Sequence, residues 1–322
     1  MTPRERVHAV FQGQKPDRLP FNFWMDRNLM AELDKKLGED FRITHYGADV
    51  MESFFNVDWR FGLTGEYVDD GKISWNIKPL LDDIKKAKDL VLPDPNKNDI
   101  LALICDDRKR HPEIWQLALI PSPLETFFNL RQMESAFYDF YDDPEVCLKF
   151  IERMAEYEAQ LVRGLKNCDV DCLYIAGDIC SAKGSIMSHE HLIRFCFEPM
   201  RSIIDEAKRL GLPILFHTDG MIMDVLPLII DYGFDGVNPL QPHLNNIREF
   251  KEKFGTKLIL YGGLDNCFII PDGSESEVRA HVRETFEVLG KDGGLIASSH
   301  DIPDYVPLKN IDAMVDELRK CI

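Results

Sequence analysis

Short apolar runs alternate with longer amphipathic segments along most of this chain. Three of the apolar runs stop at a polar side chain, which is Asp178, His217 or His300. Buried parallel strands read as nearly continuous apolar runs, and the amphipathic segments between them have the period of helices. This alternation predicts right-handed β–α–β units and a parallel sheet.

Eight strands can be counted, which favours a (β/α)8 TIM barrel over an open doubly wound sheet. The count includes a first strand at Leu19–Trp24 and a weak strand leading to Asp49. An open nucleotide-binding sheet would carry a glycine-rich turn after its first strand, and neither GxGxxG nor GxxxxGK[ST] occurs. We therefore predict one barrel domain over residues 1–322, with the open sheet as the alternative.

The first part of the chain departs from the regular alternation. Thr2, Pro3 and Glu5 have the spacing of a capped helix start. Residues 67–75 have the pattern of a β-hairpin with Asp70-Gly71 at its turn. Together these features predict an N-terminal helical and hairpin excursion from the barrel.

The polar strand ends are candidates for one functional site, because active sites of parallel barrels lie where the strands end. Residues two apart in an extended segment face the same side, so His217 and Asp219 can point together. With His300 they form a ligand set that suits Zn2+, Fe2+ or Mn2+. The alternative is that the histidines are hydrogen-bonded to backbone carbonyls and Asp219 caps the following helix.

Charge and cysteine content narrow the classes of function. The 322 residues include 38 Lys+Arg and 55 Asp+Glu, for a formal net charge of −17. This balance disfavours nucleic acid and anionic membranes as partners, and no apolar stretch is long enough to predict a membrane span. Eight cysteines without a CxxC pair predict reduced thiols in a cytoplasmic protein. We expect Cys180 to be a packed thiol, although a role as a soft ligand stays open.

Several motifs together make the chain resemble the uroporphyrinogen decarboxylase superfamily, and particularly its cobalamin-dependent methyltransferase branch. They are Pro3-Arg4-Glu5-Arg6, the stretch from Lys15 to Pro20, Asp143-Pro144-Glu145, Gly177-Asp178, Ile186-Met187-Ser188, Gly211-Leu212-Pro213 with His217, Gly262-Gly263-Leu264-Asp265 and the stretch from Pro307 to Ile311. The resemblance implies a (β/α)8 barrel with its active site at the carboxyl ends of the strands.

The resemblance also implies a divalent metal, with zinc favoured, and a corrinoid (cobalamin) as methyl carrier. In the methyltransferase branch, a His-x-Cys pair and a later cysteine bind zinc. His217 matches that histidine, Asp219 stands in the position of the first cysteine, and His300 falls near the second. Oxygen and nitrogen ligands make the site harder than a thiolate site, which disfavours coenzyme M as the substrate.

The resulting prediction is a metal-dependent, corrinoid-linked methyltransferase that acts on a small molecule or on a corrinoid carrier protein. The sequence leaves the oligomeric state open. Besides the three metal ligands, the predicted site residues are Asp49 and Asp178 as catalytic groups, and Asp178, Gly262, Gly263 and Asp265 as substrate or cofactor contacts.

Two alternatives remain. One is a decarboxylase-like lyase acting on a smaller carboxylated substrate, since Asp49 sits near the catalytic aspartate of that branch. The arginine-rich stretch of the true decarboxylases is reduced here to Arg27, and a polycarboxylated porphyrinogen needs several cationic contacts. The other alternative is a non-catalytic barrel that binds a corrinoid or porphyrin.

Overall fold

The computed structural model describes residues 1–69, 74–97 and 99–322. The strands are β1 (Val50–Phe54), β2 (Tyr67–Asp69), β3 (Ser74–Asn76), β4 (Trp115–Pro121), β5 (Cys172–Ala176), β6 (Cys180–Ser181), β7 (Gly184–Ser185), β8 (Ile214–His217), β9 (Gly236–Asn238), β10 (Ile259–Leu264) and β11 (Leu295–Ser299).

The α-helices of the described residues are α1 (Pro3–Phe11), α2 (Arg27–Leu37), α3 (Phe41–Thr44), α4 (Ala102–Arg110), α5 (Pro123–Arg131), α6 (Met133–Asp142), α7 (Pro144–Gly164), α8 (His189–Leu192), α9 (Glu198–Arg209), α10 (Leu226–Asp231), α11 (Ile247–Phe254), α12 (Ile269–Asp272), α13 (Glu275–Thr285) and α14 (Leu308–Leu318). The chain also forms 3-10 helices at Ile84–Asp89 and Leu165–Asn167, and π-helical turns at Ile193–Phe197 and Phe286–Gly290. Within the described ranges, every helix is too short or too polar to cross a lipid bilayer.

The fold is the predicted (β/α)8 barrel. Seven parallel strands of the described residues pair in the order β1-β4-β5-β8-β9-β10-β11. The predicted first strand fills the gap between β11 and β1, although it pairs through isolated bridges rather than a full ladder. The Asn22 N–H donates to the Ala297 carbonyl of β11, and the Asp49 N–H donates to the Phe21 carbonyl. These bonds close the sheet on itself.

Helix α1 covers the end of the barrel at which the strands start. Its Thr2 and Glu5 form the capping box expected from the sequence. Its inner face places Val7 and Val10 in one buried apolar cluster with Trp115 and other side chains of the barrel interior. The strand ends lie at the opposite face, which this helix leaves open for a site.

Three aspartates, each directly before a strand, tie neighbouring strands together at this covered end. They are Asp49 before β1, Asp171 before β5 and Asp235 before β9. Each carboxylate accepts the backbone N–H of a residue near the start of the adjacent strand. The pairs are Phe21 to Asp49 at 2.9 Å, Gln116 to Asp171 at 2.9 Å and Ile214 to Asp235 at 2.8 Å.

The position of Asp49 corrects the prediction that a strand leads to it, because β1 starts after Asp49 rather than ending there. The residue is fully buried. Its carboxylate accepts hydrogen bonds from Arg6 at 2.5 Å and from Arg18 at 2.7 Å. Asp49 therefore lies at the barrel end opposite to His217 and is held in a structural ion-pair network.

A helix break, a disulfide and a hairpin are three further features on which the sequence makes a prediction. The amphipathic pattern over residues 124–141 predicts one helix, but the structure has two, α5 and α6, separated at Gln132, whose φ of 58° interrupts the helical backbone. Cys105 and Cys168 form a disulfide, which corrects the expectation that all cysteines are reduced. Strands β2 and β3 form the expected antiparallel hairpin, whereas its predicted Asp70-Gly71 turn lies outside the described residues.

Replacing Asp171 should destabilise the fold far more than replacing Asp169, although both bind Arg4. The Asp171 side chain is 1% exposed and also binds Arg108 at 2.6 Å, whereas the Asp169 side chain is 67% exposed. Removing one partner of a buried ion pair leaves an uncompensated charge and costs about 3–5 kcal/mol. Exposed pairs contribute up to about 1 kcal/mol.

The measurement is the free energy of unfolding in urea for Asp171→Ala and for its control, Asp169→Ala. Equal losses in the two variants would contradict the structural role given to the aspartates at the strand starts.

Candidate metal centre at the barrel mouth

The three predicted ligands lie together at the open end of the barrel. His217 is the last residue of β8, Asp219 follows it by two residues, and His300 follows β11. One potential ligand atom from each residue lies within 4.8 Å of the others. The imidazole rings are stacked with centroids 5.6 Å apart, and Nε2 of His300 is 3.5 Å from Oδ2 of Asp219. All three side chains can therefore reach one small cation.

Two interior side chains fix the ring of His217. Its Nδ1 lies 2.8 Å from the Tyr174 hydroxyl and 2.7 Å from Oδ1 of Asn238. The Asn238 amide nitrogen donates to the Tyr261 carbonyl at 2.6 Å, which turns its oxygen toward the histidine. An amide oxygen can only accept, so this contact favours a proton on Nδ1 and a free lone pair on Nε2. Metal-binding histidines are commonly oriented in this way.

The carboxylate of Asp219 shows most clearly that the site suits a cation. Its Oδ1 is buried and has no hydrogen-bond partner within the described part of the chain. A buried, unpartnered carboxylate oxygen costs free energy, and a bound cation would supply the partner. The residues present thus fit a divalent metal.

The loop that carries Asp219 is packed too tightly for a side chain at its next position. Gly220 has a φ of +94°, and a Cβ there would lie 2.6 Å from the Ser181 carbonyl oxygen. The Gly220 N–H donates to Gln241 at 2.8 Å. Glycine lets the loop settle against the small β6–β7 hairpin, and this contact sets the height of Asp219 above the barrel.

Asp178 lies beside the three ligands, as the sequence analysis predicts for a strand end. Its Oδ1 accepts the Asp219 N–H at 3.1 Å and lies 3.8 Å from Nε2 of His217. The side chain is 49% exposed, so it can meet a substrate while it supports the Asp219 loop.

Glu125 is a neighbour of the site that the sequence analysis did not select. It lies in the first turn of α5, and its Oε2 accepts the Asp178 N–H at 3.3 Å. Burial and the nearby charge of Asp178 raise the pKa of Glu125 above its ordinary value. Its signal in the sequence is a helix start with a Ser122 cap directly after the β4 strand end.

Asp265 and its two glycines have structural contacts that explain their presence. Oδ1 of Asp265 accepts the N–H groups of Cys267 and Phe268 at 2.9 and 2.8 Å, so it caps its loop. Gly262 and Gly263 belong to β10. A Cβ on Gly262 would lie 2.7 Å from the backbone nitrogen at residue 240, which makes close backbone packing the reason for that glycine.

Two other candidates are not members of the ligand group. Asp49 is at the far end of the barrel. Cys180 is buried in β6, and burial raises the pKa of its thiol to about 12. A thiol in that state is a poor soft ligand or nucleophile at neutral pH.

Sequence and structure comparisons agree with this architecture. Residues 55–321 match the model of the uroporphyrinogen decarboxylase (URO-D) family. The chain belongs to the uroporphyrinogen decarboxylase family. Proteins of this family are enzymes, and their shared fold is the barrel described above. None of the curated protein sequences matches the chain.

Two solved structures show how far this family barrel resembles known proteins. A methyltransferase from Methanosarcina mazei superposes with a TM-score of 0.76 at 18% identity, covering 99% of each chain. At an identity this low, the superposition shows a shared fold and nothing more. A B12-independent methionine synthase from Shewanella sp. W3-18-1 gives a TM-score of 0.49 at 12% identity, covering 91% of this chain and 86% of that chain. A similarity of that size shows nothing about activity.

Glu125→Gln should flatten the pH dependence of stability. Because the pKa of Glu125 is raised in the folded state, the folded protein holds this proton more tightly than the unfolded chain. Its contribution to stability is complete below the unfolded pKa of about 4.3 and is lost as pH rises through the folded pKa. The uncharged amide removes this loss.

The test is urea unfolding of the wild type and the variant at several pH values from about 4 to about 7.5, a window that starts near the unfolded pKa. Glu152→Gln on the exposed side of α7 is the matched control and should follow the wild type. A Glu125→Gln variant that also follows the wild type would show that Glu125 is ionised in the fold.

Proposed function

We propose that this protein is a metal-dependent methyltransferase that works with a corrinoid. Family membership supports an enzyme built on this barrel, and the fold it shares with a methyltransferase supports the reaction class. The observation that carries the proposal is the convergence of His217, Asp219 and His300, with an unpartnered oxygen on Asp219.

His217, Asp219 and His300 would hold the metal, with zinc as the favoured ion for this nitrogen and oxygen donor set. When bound, the ion acts as a Lewis acid that makes a substrate heteroatom a better nucleophile or leaving group. Three protein ligands leave a further coordination position for the substrate, which is typical of catalytic rather than structural zinc.

The side chains around the three ligands orient His217 and set the polarity of the mouth. Tyr174 and Asn238 hold the His217 ring and its proton on the inner nitrogen. Burial and the neighbouring Asp178 carboxylate raise the pKa of Glu125, which favours the neutral form of this side chain beside the mouth. Asp178 is exposed enough to accept a proton or a hydrogen bond from the substrate.

Exposed apolar side chains at the carboxyl ends of four strands support a large, partly apolar partner such as a corrinoid, free or on a carrier protein. Phe54 is the last residue of β1, and Met221, Phe268 and Tyr305 follow the ends of β8, β10 and β11. The four side chains are 45%, 38%, 58% and 61% exposed. Side chains of this kind on the face that carries a polar site can contact the apolar part of a bound partner.

The lyase alternative loses the aspartate that would position the reacting group, because Asp49 is buried at the other end of the barrel with two arginines. A non-catalytic corrinoid-binding barrel differs from the proposed enzyme in turnover. The deciding experiment mixes the metal-loaded protein with methylcobalamin and, in turn, a thiol, an amine and a hydroxyl acceptor, and follows the loss of the methyl–cobalt absorption. Binding of methylcobalamin without that loss would favour the non-catalytic barrel, and release of carbon dioxide from a carboxylated substrate would favour a lyase.

His217→Ala and His300→Ala should each lose the metal and the turnover while keeping a folded barrel. Loss of one ligand of three leaves the desolvation of the ion uncompensated. Asp219→Asn should be milder, because an amide oxygen can still coordinate although it brings no charge. Metal content after dialysis against zinc, measured together with circular dichroism, tests this expectation.

His189→Ala is the control, since His189 is an exposed histidine outside the ligand set. A wild type that holds no zinc, iron, manganese or cobalt would mean that His217 and His300 are only a hydrogen-bonded pair. Equal metal loss in the control would point to nonspecific binding.

Tyr174→Phe should weaken metal binding by about tenfold, the lower end of the effect expected for a group that orients a metal ligand. The variant keeps the ring that packs in the barrel and removes the hydroxyl near His217. Titration with zinc against a competing chelator gives the affinity. An unchanged affinity would show that Asn238 alone orients the histidine.

A further inference from the structure

A second concave site lies on the outside of the barrel and shares no lining residue with the metal centre. It is a groove between the 3-10 helix Ile84–Asp89 and α7, with a volume of about 630 Å³. Pockets that bind small molecules have volumes of roughly 300–1,000 Å³. The floor is apolar and consists of Ala87, Val146 and Phe150. The groove thus has the size and the floor of a ligand site.

The side chain of Arg153 holds the groove open through hydrogen bonds to two backbone carbonyls. Val146, Phe150 and Arg153 follow one face of α7, because residues three and four apart on a helix are neighbours. Arg153 donates to the carbonyls of Ala87 and Leu90 at 3.0 and 2.6 Å. These bonds fix the 3-10 helix against α7, so the shape exists before any ligand binds. They also leave the positive charge of Arg153 without a carboxylate partner in these contacts.

Every charged side chain that lines the groove is cationic, in a chain whose net charge is −17. Lys85 is 3.0 Å from Asp143. Lys88 and Lys149 are exposed, and neither has an ion-pair partner among the residues that the structure describes. Residues three apart in a 3-10 helix eclipse one another, so Lys85 and Lys88 project from the same side. Lys88 and Lys149 therefore remain as the two cations of the groove that an added anion can pair with.

We propose that this groove binds a small amphipathic anion, with its apolar body along the apolar floor and its carboxylate or phosphate between Lys88 and Lys149. The apolar floor supplies contact area, and the cationic rim supplies the charge selection that the acidic remainder of the protein lacks. A nucleic acid or a polyanionic surface would need a wider basic face than this single groove. The inference is independent of the methyltransferase proposal.

Calorimetric titration with four probes tests the proposal. Decanoate and decyl phosphate carry the two anionic head groups, decyltrimethylammonium carries the opposite charge on the same chain, and acetate lacks the chain. We expect both decyl anions to bind, and the tighter of the two identifies the preferred head group. Binding of the cation as tight as that of the anions, or no binding of either anion below its micelle concentration, would overturn the proposal.

A pair of double variants locates the site. Lys88→Glu with Lys149→Glu should weaken anion binding at least about tenfold, because hydrogen bonds to charged groups are strong and here turn into repulsion. Lys35→Glu with Lys36→Glu makes the same charge change on the exposed surface of α2 and should change it by less than about twofold. Equal weakening in both would mean that the anions respond to net charge alone, which refutes a site in the groove.

Discussion

Closure of the barrel at its covered end is the constraint on which the mouth depends. The segment at residues 20–22 is bonded to β11 on one side and to Asp49 on the other. The carboxylate of Asp49 then fixes the same segment a second time, and two arginines neutralise it. Because the closed sheet is strongly curved, His300 after β11 faces His217 at the end of β8 across the mouth, and the two rings stack although β9 and β10 lie between their strands. A flat sheet would hold the two strand ends apart in one plane.

The two ends of the barrel differ in how completely their carboxylates are paired. At the covered end, Asp171 has two arginines, a histidine and a backbone N–H as partners. At the mouth, the buried Oδ1 of Asp219 has no hydrogen-bond partner among the described residues. Charges that are fully paired hold a fold rigid, and a charge left without a partner is available to a ligand. Rigidity and reactivity are thus separated along the barrel axis.

The sequence predicts the mouth better than it predicts the covered end, for a physical reason. Apolar runs show where strands lie, and a polar residue after such a run marks its end, as at His217. The prediction that a strand leads to Asp49 is wrong, because a carboxylate beside an apolar run does not show whether it precedes or follows the strand. The break at Gln132 has no proline or glycine to signal it. The sequence does not predict that Tyr174 and Asn238 orient His217, because they approach it only through the pairing of strands that are distant in sequence.

Because residue 220 is a glycine, the loop of Asp219 packs directly against the backbone of the β6–β7 hairpin, and the two segments are mechanically coupled. No Cβ fits between Gly220 and Ser181, and the Met221 N–H donates to the Ser181 carbonyl at 2.9 Å. A displacement of the hairpin is therefore passed to the loop. The geometry of the three ligands thus depends on a segment that supplies none of them.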